Sequence, residues 1–143
     1  MRFILDASVA VRWFLEEERH RNADVVLERL VDEPGRFAVP ELFSYEVLAV
    51  LFRVHPDPLR AYVGGVIPLL QGGMLRYPMT ESIAHRAFGF QQLGLSGYDA
   101  CYAAVAEELE GLWLTFDTQA HEKLRRTALS LDIGAALPEG LRP

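Results

Sequence analysis

Four carboxylates stand where their chemistry can be used. Asp6 directly follows the apolar run Phe3-Ile4-Leu5, and Asp117 directly follows Leu112-Trp113-Leu114-Thr115-Phe116. Asp99 falls in the first turn of a helix opened by Ser96, and Glu46 lies inside a helical stretch, Glu41 to Arg53, among Leu42, Tyr45, Val47, Leu48, Ala49 and Val50. Taken singly, the three aspartates are explained by helix capping, because Asp accepts the free N–H groups of a helix start and Ser96-Gly97-Tyr98-Asp99 matches a capping box. Glu46 has no cap to make. A carboxylate buried without a partner is costly, so Glu46 needs Arg53 on its own side of the helix, a raised pKa, or a cation.

Acids gathered around one crevice repel each other unless divalent cations sit among them, and hard oxygen ligands suit Mg²⁺ or Mn²⁺. The matching chemistry is hydrolysis of phosphate esters, in which a cation acidifies water and neutralises charge gathering on the phosphate. An acidic protein can then act on a polyanion. The net charge of −6 speaks against simple electrostatic adhesion to nucleic acid or anionic lipid, which requires a basic face.

The elements that must position these acids alternate along the chain. Phe3–Leu5 reads as a strand, Val9–Leu15 and Asn22–Val31 as helices, Phe37–Val39 as a second strand and Glu41–Arg53 as a helix after Pro40. Asp57-Pro58 can open another helix, which Gly64-Gly65 and Pro68 interrupt. Met74–Tyr77 is a third strand, Thr80 caps a helix to Leu93 closed by Gly94, and Ser96 opens a helix to Glu110. Leu112–Phe116 is the clearest strand, Asp117 opens a helix to about Arg126, and Leu131–Ile133 is the last strand. This alternation implies right-handed crossovers and a mainly parallel sheet with helices on both faces, a three-layer α/β/α domain. In such sheets ligands bind beyond the strand C-termini, where Asp6, Asp99 and Asp117 would meet.

Composition narrows the class. With 143 residues, half of them apolar and 24% charged, the chain is expected to form one folded domain over residues 1–137, with 138–143 as a loose tail. No apolar run approaches the roughly 18 residues that span a bilayer, and Asp6 interrupts any signal-peptide core, so a cytoplasmic location is expected. The single cysteine, Cys101, and four scattered histidines give neither a disulfide nor a zinc-ligand spacing.

Four segments in order, Phe3-Ile-Leu-Asp6-Ala-Ser8, Pro40-Glu-Leu-Phe-Ser-Tyr-Glu46-Val, Gly94-Leu-Ser-Gly-Tyr-Asp99-Ala-Cys-Tyr-Ala-Ala and Leu114-Thr115-Phe-Asp117, resemble the signature of the PIN-domain family. The stand-alone size resembles its VapC-like ribonuclease toxins of type II toxin–antitoxin systems. The resemblance runs from about Arg2 to Ile133 and implies a five-stranded parallel sheet in the order 3-2-1-4-5. It also implies Mg²⁺- or Mn²⁺-dependent cleavage of RNA, homodimerisation, and inhibition by a small antitoxin. By motif position the family's acids fall on Asp6, Glu46, Asp99 and Asp117, and Ser8 and Thr115 match hydroxyls that support the site. The stretch from His55 to Gly73 carries no family signature.

Other functions fit less well. A phospho-acceptor receiver domain needs paired acids after its first strand and a lysine after its fifth, whereas here Ala7 follows Asp6 and the only lysine is Lys123. Another phosphohydrolase or DNase, or a PIN-like domain kept only for protein binding, remains as an alternative. Of the remaining residues, Trp13 and Phe14 could line an antitoxin or dimer groove but at least one is expected in the core, Cys101 is expected as a buried inert thiol and His121 facing solvent, and Arg12, Arg86, Arg125 and Arg126 could contact RNA phosphates, with surface salt bridges the commoner arrangement.

Overall fold

The first strand sets the frame because all three of its residues are fully apolar and buried. The computed structural model describes residues 1–143, and in it β1 (Phe3–Leu5) lies at the centre of a five-stranded sheet. The other strands are β2 (Phe37–Pro40), β3 (Leu75–Tyr77), β4 (Leu112–Thr115) and β5 (Ser130–Asp132), all parallel, in the order β3-β2-β1-β4-β5. Strands buried on both faces read as continuous apolar runs, as Phe3–Leu5 and Phe37–Val39 do. The chain leaves β1 for β2 on one side and returns to β4 on the other, so the order reverses between β1 and β4. That reversal opens a crevice at their C-terminal ends.

Helices α1 (Ala7–Ala10), α2 (Arg21–Asp32), α3 (Leu42–Val54), α4 (Pro58–Ala61), α5 (Ile67–Leu70), α6 (Glu81–Gln91), α7 (Gly97–Glu108) and α8 (Thr118–Leu124) surround the sheet. The most deeply buried is α7, whose Ala100 and Tyr102 to Ala106 pack across β1, β2 and β4. Tyr102 stacks on Trp113 of β4 with ring centroids 5.5 Å apart. The α/β class and the 3-2-1-4-5 order are therefore as expected. None of the helices is long and apolar enough to cross a membrane.

Three local expectations are corrected. The helix expected over Val9–Leu15 begins earlier, at Ala7, because Asp6 caps it, and it tightens into a 3₁₀ turn over Val11–Trp13. The helix that Asp57-Pro58 opens is present, and the interruption expected at Gly64-Gly65 and Pro68 is instead a π turn at Tyr62–Val66, where the Ile67 N–H bonds the Tyr62 carbonyl, so that the stretch is helical over Pro58–Leu70. Pro68 cannot donate a backbone hydrogen bond, and the wider turn just before it accommodates that loss. Gly65 serves packing here, since a Cβ on it would lie 2.3 Å from the Phe14 ring.

The loose tail is the third correction. Residues 139–141 form a short 3₁₀ turn, Leu141 is completely buried, Arg36 Nη2 donates to the Gly140 carbonyl at 3.2 Å and Arg29 Nη2 to the Arg142 carbonyl at 3.2 Å. One apolar side chain and two guanidinium groups are enough to fasten the C-terminus to α2 and the start of β2.

Candidate active site

Asp6 leaves β1 at the crevice and is 8% exposed. Its Oδ2 accepts from the Ser8 N–H at 3.3 Å and from the Ser8 hydroxyl, and from the Thr115 hydroxyl at 3.1 Å. The cap is real, yet all these bonds fall on Oδ2 and leave Oδ1 free. Burial pushes the Asp6 carboxyl up to about 6, with Asp99 adding to the rise and the Ser8 and Thr115 hydrogen bonds opposing it. Asp117 follows β4, caps α8 by accepting from the Ala120 N–H at 3.0 Å, and donates its own N–H to Thr115 Oγ1 at 3.0 Å. Ser96 caps α7 by accepting from the Asp99 N–H at 3.1 Å. The reciprocal bond of a capping box, from the Ser96 amide N–H to the Asp99 carboxylate, is not made, and that carboxylate lines the cleft. Burial and then Asp117 raise its pKa.

Glu46 comes from the middle of α3. Its Oε1 is buried and has no hydrogen-bond partner, and Arg53 is exposed and forms no ion pair with it. Burial pushes its carboxyl up to about 7; the Tyr102 phenol facing it works against that rise, and Asp6 and Asp99 add to it. Neither Glu46 Oε1 nor the Tyr102 hydroxyl completes a hydrogen bond. Asp6, Glu46, Asp99 and Asp117 line one open cleft of about 350 Å³ together with Ala7, Ser8, Val11, Arg12, Glu18 and Val50. No three of them close into a ready-made metal cage, so the expectation of mutual bridging distance is corrected to a shared cleft.

The profile of the PIN domain matches residues 3–127, which takes in all four acids. The chain belongs to the PIN-domain family. Members of that family are generally nucleases that use divalent metals. Solved structures agree on the fold of this PIN domain. FitAcB from Neisseria gonorrhoeae is similar with a TM-score of 0.66 and 15% identity, over 86% of this chain and 93% of that one. A toxin–antitoxin complex from Klebsiella pneumoniae gives 0.60 and 19%, over 82% and 88%. PAE2754 from Pyrobaculum aerophilum gives 0.68 and 18%, over 94% and 86%. No curated protein matches by sequence.

The donor set of this PIN domain fits a hard divalent cation. It offers carboxylate oxygens only, one of them an orphaned buried oxygen on Glu46 and another left free on Asp6. Ser8 and Thr115 act as support: besides bonding Asp6, Ser8 Oγ accepts from the Phe116 N–H at 3.1 Å. Glu18 and Tyr102, which sequence reasoning passed over, also belong here, Glu18 at the cleft wall and Tyr102 behind Glu46. Only the spacing of Tyr102 one helical turn after Asp99 could have signalled it.

The other residues divide. Arg86 pairs with Glu107 and Glu108, and Arg125 with Glu122, as expected of surface cations. His121 is partly exposed and also pairs with Ser130 Oγ at 2.8 Å. Cys101 is only half buried and lines a separate apolar pocket with Tyr77 and Met79; burial pushes its thiol up, which disfavours the thiolate. Trp13 and Phe14 are both partly buried against the core.

Proposed function

We propose that this PIN domain is a Mg²⁺- or Mn²⁺-dependent endoribonuclease and the toxin of a type II toxin–antitoxin pair. The observation that carries the nuclease reading is the convergence of Asp6, Glu46, Asp99 and Asp117 on one cleft at the sheet's reversal point, with a buried Glu46 oxygen that only the Tyr102 phenol faces and no protein cation answers. Asp6, Asp99 and Glu46 would hold the cation, with Asp117 at the rim. A bound divalent cation supplies acidified water and neutralises charge on the phosphate. The protein's own part is to keep Asp6 fixed through Ser8 and Thr115, and to hold Glu46 from α3 with one carboxylate oxygen buried at the cleft. Cleavage would leave 5′-phosphate and 3′-hydroxyl ends.

The toxin reading is supported by the likeness to a Klebsiella pneumoniae toxin–antitoxin complex and by apolar side chains that stay exposed on α3 and beyond, Tyr45, Phe52, Val54, Leu59 and Val63. Such a face suits a small antitoxin, a second copy of this chain, or both. An antitoxin arginine reaching the cleft would pair bidentately with two of its carboxylates.

Incubation with RNA, DNA and a chromogenic phosphate ester, with and without Mn²⁺, tests the activity. RNA cleavage that needs the cation and is lost in Asp6→Asn and Asp99→Asn is the expected result. Full activity in EDTA, or in either variant, overturns it. For the toxin role, growth arrest on expression should require Asp6 and be relieved by a co-expressed neighbouring small gene product; equal harmlessness of wild type and Asp6→Asn would leave only the nuclease.

A further inference from the structure

Five carboxylates line the cleft, counting Glu18 beside the four acids already described, and a single cation lines it with them. Arg12 enters from the 3₁₀ turn that follows α1. In so acidic a cleft an arginine would be expected to pair with a carboxylate, yet Arg12 forms no ion pair with any of the five. Two contacts account for its restraint. Its guanidinium lies 4.0 Å from the centroid of the Phe116 ring, and its Nη1 donates to the Glu18 backbone carbonyl at 3.1 Å. Both anchors are uncharged, so they fix the group without neutralising it. His20 in turn packs edge-on against Phe116 at 5.0 Å, and the Phe116 N–H bonds the Ser8 hydroxyl that holds Asp6. The platform under Arg12 is thus part of the scaffold that fixes Asp6.

A guanidinium carries five N–H donors in a fork that matches phosphate oxygens, and only one of them is engaged. An Arg12 that bonded the acids directly would compete with any cation they bind. Held off, it leaves the acids available and remains a charged donor at the same opening.

We infer that Arg12 is the residue that grips the RNA backbone, its free N–H groups pairing with a phosphodiester's non-bridging oxygens at the mouth of the acid cleft. The inference rests on the nuclease reading and adds to it the one protein group that meets the polyanion directly. It explains how a chain of net charge −6 brings a phosphate up to acids that repel it.

The test uses two measurements. Binding of a fluorescent single-stranded RNA is followed by anisotropy on the Asp6→Asn background, with Mg²⁺, across a series of salt concentrations. Cleavage is followed with Mn²⁺ on the otherwise native chain. Arg12→Met should lower kcat/KM roughly 30-fold, the scale of a lost charge-assisted hydrogen bond, and flatten the dependence of log K on log salt by about 0.7, one phosphate contact on a single strand. Arg12→Lys should restore the salt slope and only part of the rate, because it keeps the charge and loses the fork. An Arg12→Met protein with unchanged slope and unchanged kcat/KM overturns the inference while leaving the nuclease reading intact. So does a loss that follows a fall in melting temperature and that Arg12→Lys shares with no recovery of slope, which would make Arg12 a packing residue for Phe116. A native chain that neither binds nor cuts RNA overturns both readings.

Discussion

The Thr115 hydroxyl donates to Asp6 Oδ2 at 3.1 Å and at the same time accepts the Asp117 N–H at 3.0 Å. One buried hydroxyl at the end of β4 therefore ties the acid that leaves β1 to the acid that opens α8. Thr115→Val, which keeps the shape and removes the hydroxyl, leaves the Asp117 N–H short of a partner and Asp6 with one restraint fewer. We expect a loss of about 1–2 kcal/mol in stability and a fall of about tenfold or more in metal-dependent cleavage. Thr115→Ser should keep most of both. Urea titration and a cleavage assay check this, and an undiminished Thr115→Val enzyme would rule out the tie.

Metal-free stability should rise as pH falls from 8 to 5.5. The carboxyls of Asp6 and Glu46 titrate at about 6 and about 7 in the folded chain, above their ordinary values of 3.8 and 4.5. Between the ordinary and the raised pKa the folded state binds more protons than the unfolded one, so protonation favours folding. The penalty for charging them is fully present above the raised pKa and absent below the ordinary one. Glu108 has the opposite sign, since the Ser82 and Tyr77 hydroxyls hold it low, and its contribution is lost only below this window. Melting temperatures in EDTA at the two pH values decide the matter; a lower value at pH 5.5 would contradict the assignment.

Glu46→Gln should raise the melting temperature in EDTA at pH 8, because it removes a buried charge that no protein cation answers. The same change should abolish the stabilisation that Mg²⁺ or Mn²⁺ gives the native chain. Thermal melts of both proteins with and without Mn²⁺ read the two effects separately. Equal stabilisation of both by the cation would remove Glu46 from the metal site.

Gly111→Ala should be severely destabilising. A Cβ at that position would stand 2.5 Å from the Arg2 carbonyl oxygen and 2.8 Å from Ile4 Cδ1, so the backbone at the β1–β4 junction must shift. A drop in melting temperature on the order of 10 °C is expected from a cost of about 2–3 kcal/mol. A variant melting within a degree or two of the native chain would show that the junction yields.

Leu141→Asp tests the fastening of the C-terminus. The Leu141 side chain is completely buried, so a carboxylate there should lower stability by about 2–4 kcal/mol, while leaving kcat/KM unaltered for whatever fraction stays folded. Thermal melting and active-site titration separate the two.

Much of this protein was legible in its sequence because the signals are local. Short apolar runs marked β1, β2 and β4, and the periodic helices between the strands dictated a parallel sheet. Glu46 stood out because an acid among apolar helix residues has no inexpensive explanation, and the motifs around Asp6, Asp99 and Asp117 carried the family resemblance. The site's support was not legible. That Thr115 reaches Asp6 was suggested only by motif position, and the bond itself joins residues far apart in the chain. Gly65 under Phe14, Gly111 against Arg2 and buried Leu141 depend likewise on contacts between distant segments. Arg12 is the sharpest case. The sequence offered it as a phosphate contact only on equal terms with Arg86, Arg125 and Arg126; the folded arrangement, with Phe116 and the Glu18 carbonyl holding it in an acidic cleft without an ion pair, sets it apart from them. Local propensity and hydrophobic period act over a few residues, whereas the geometry of a site is decided by which side chains the sheet order brings face to face.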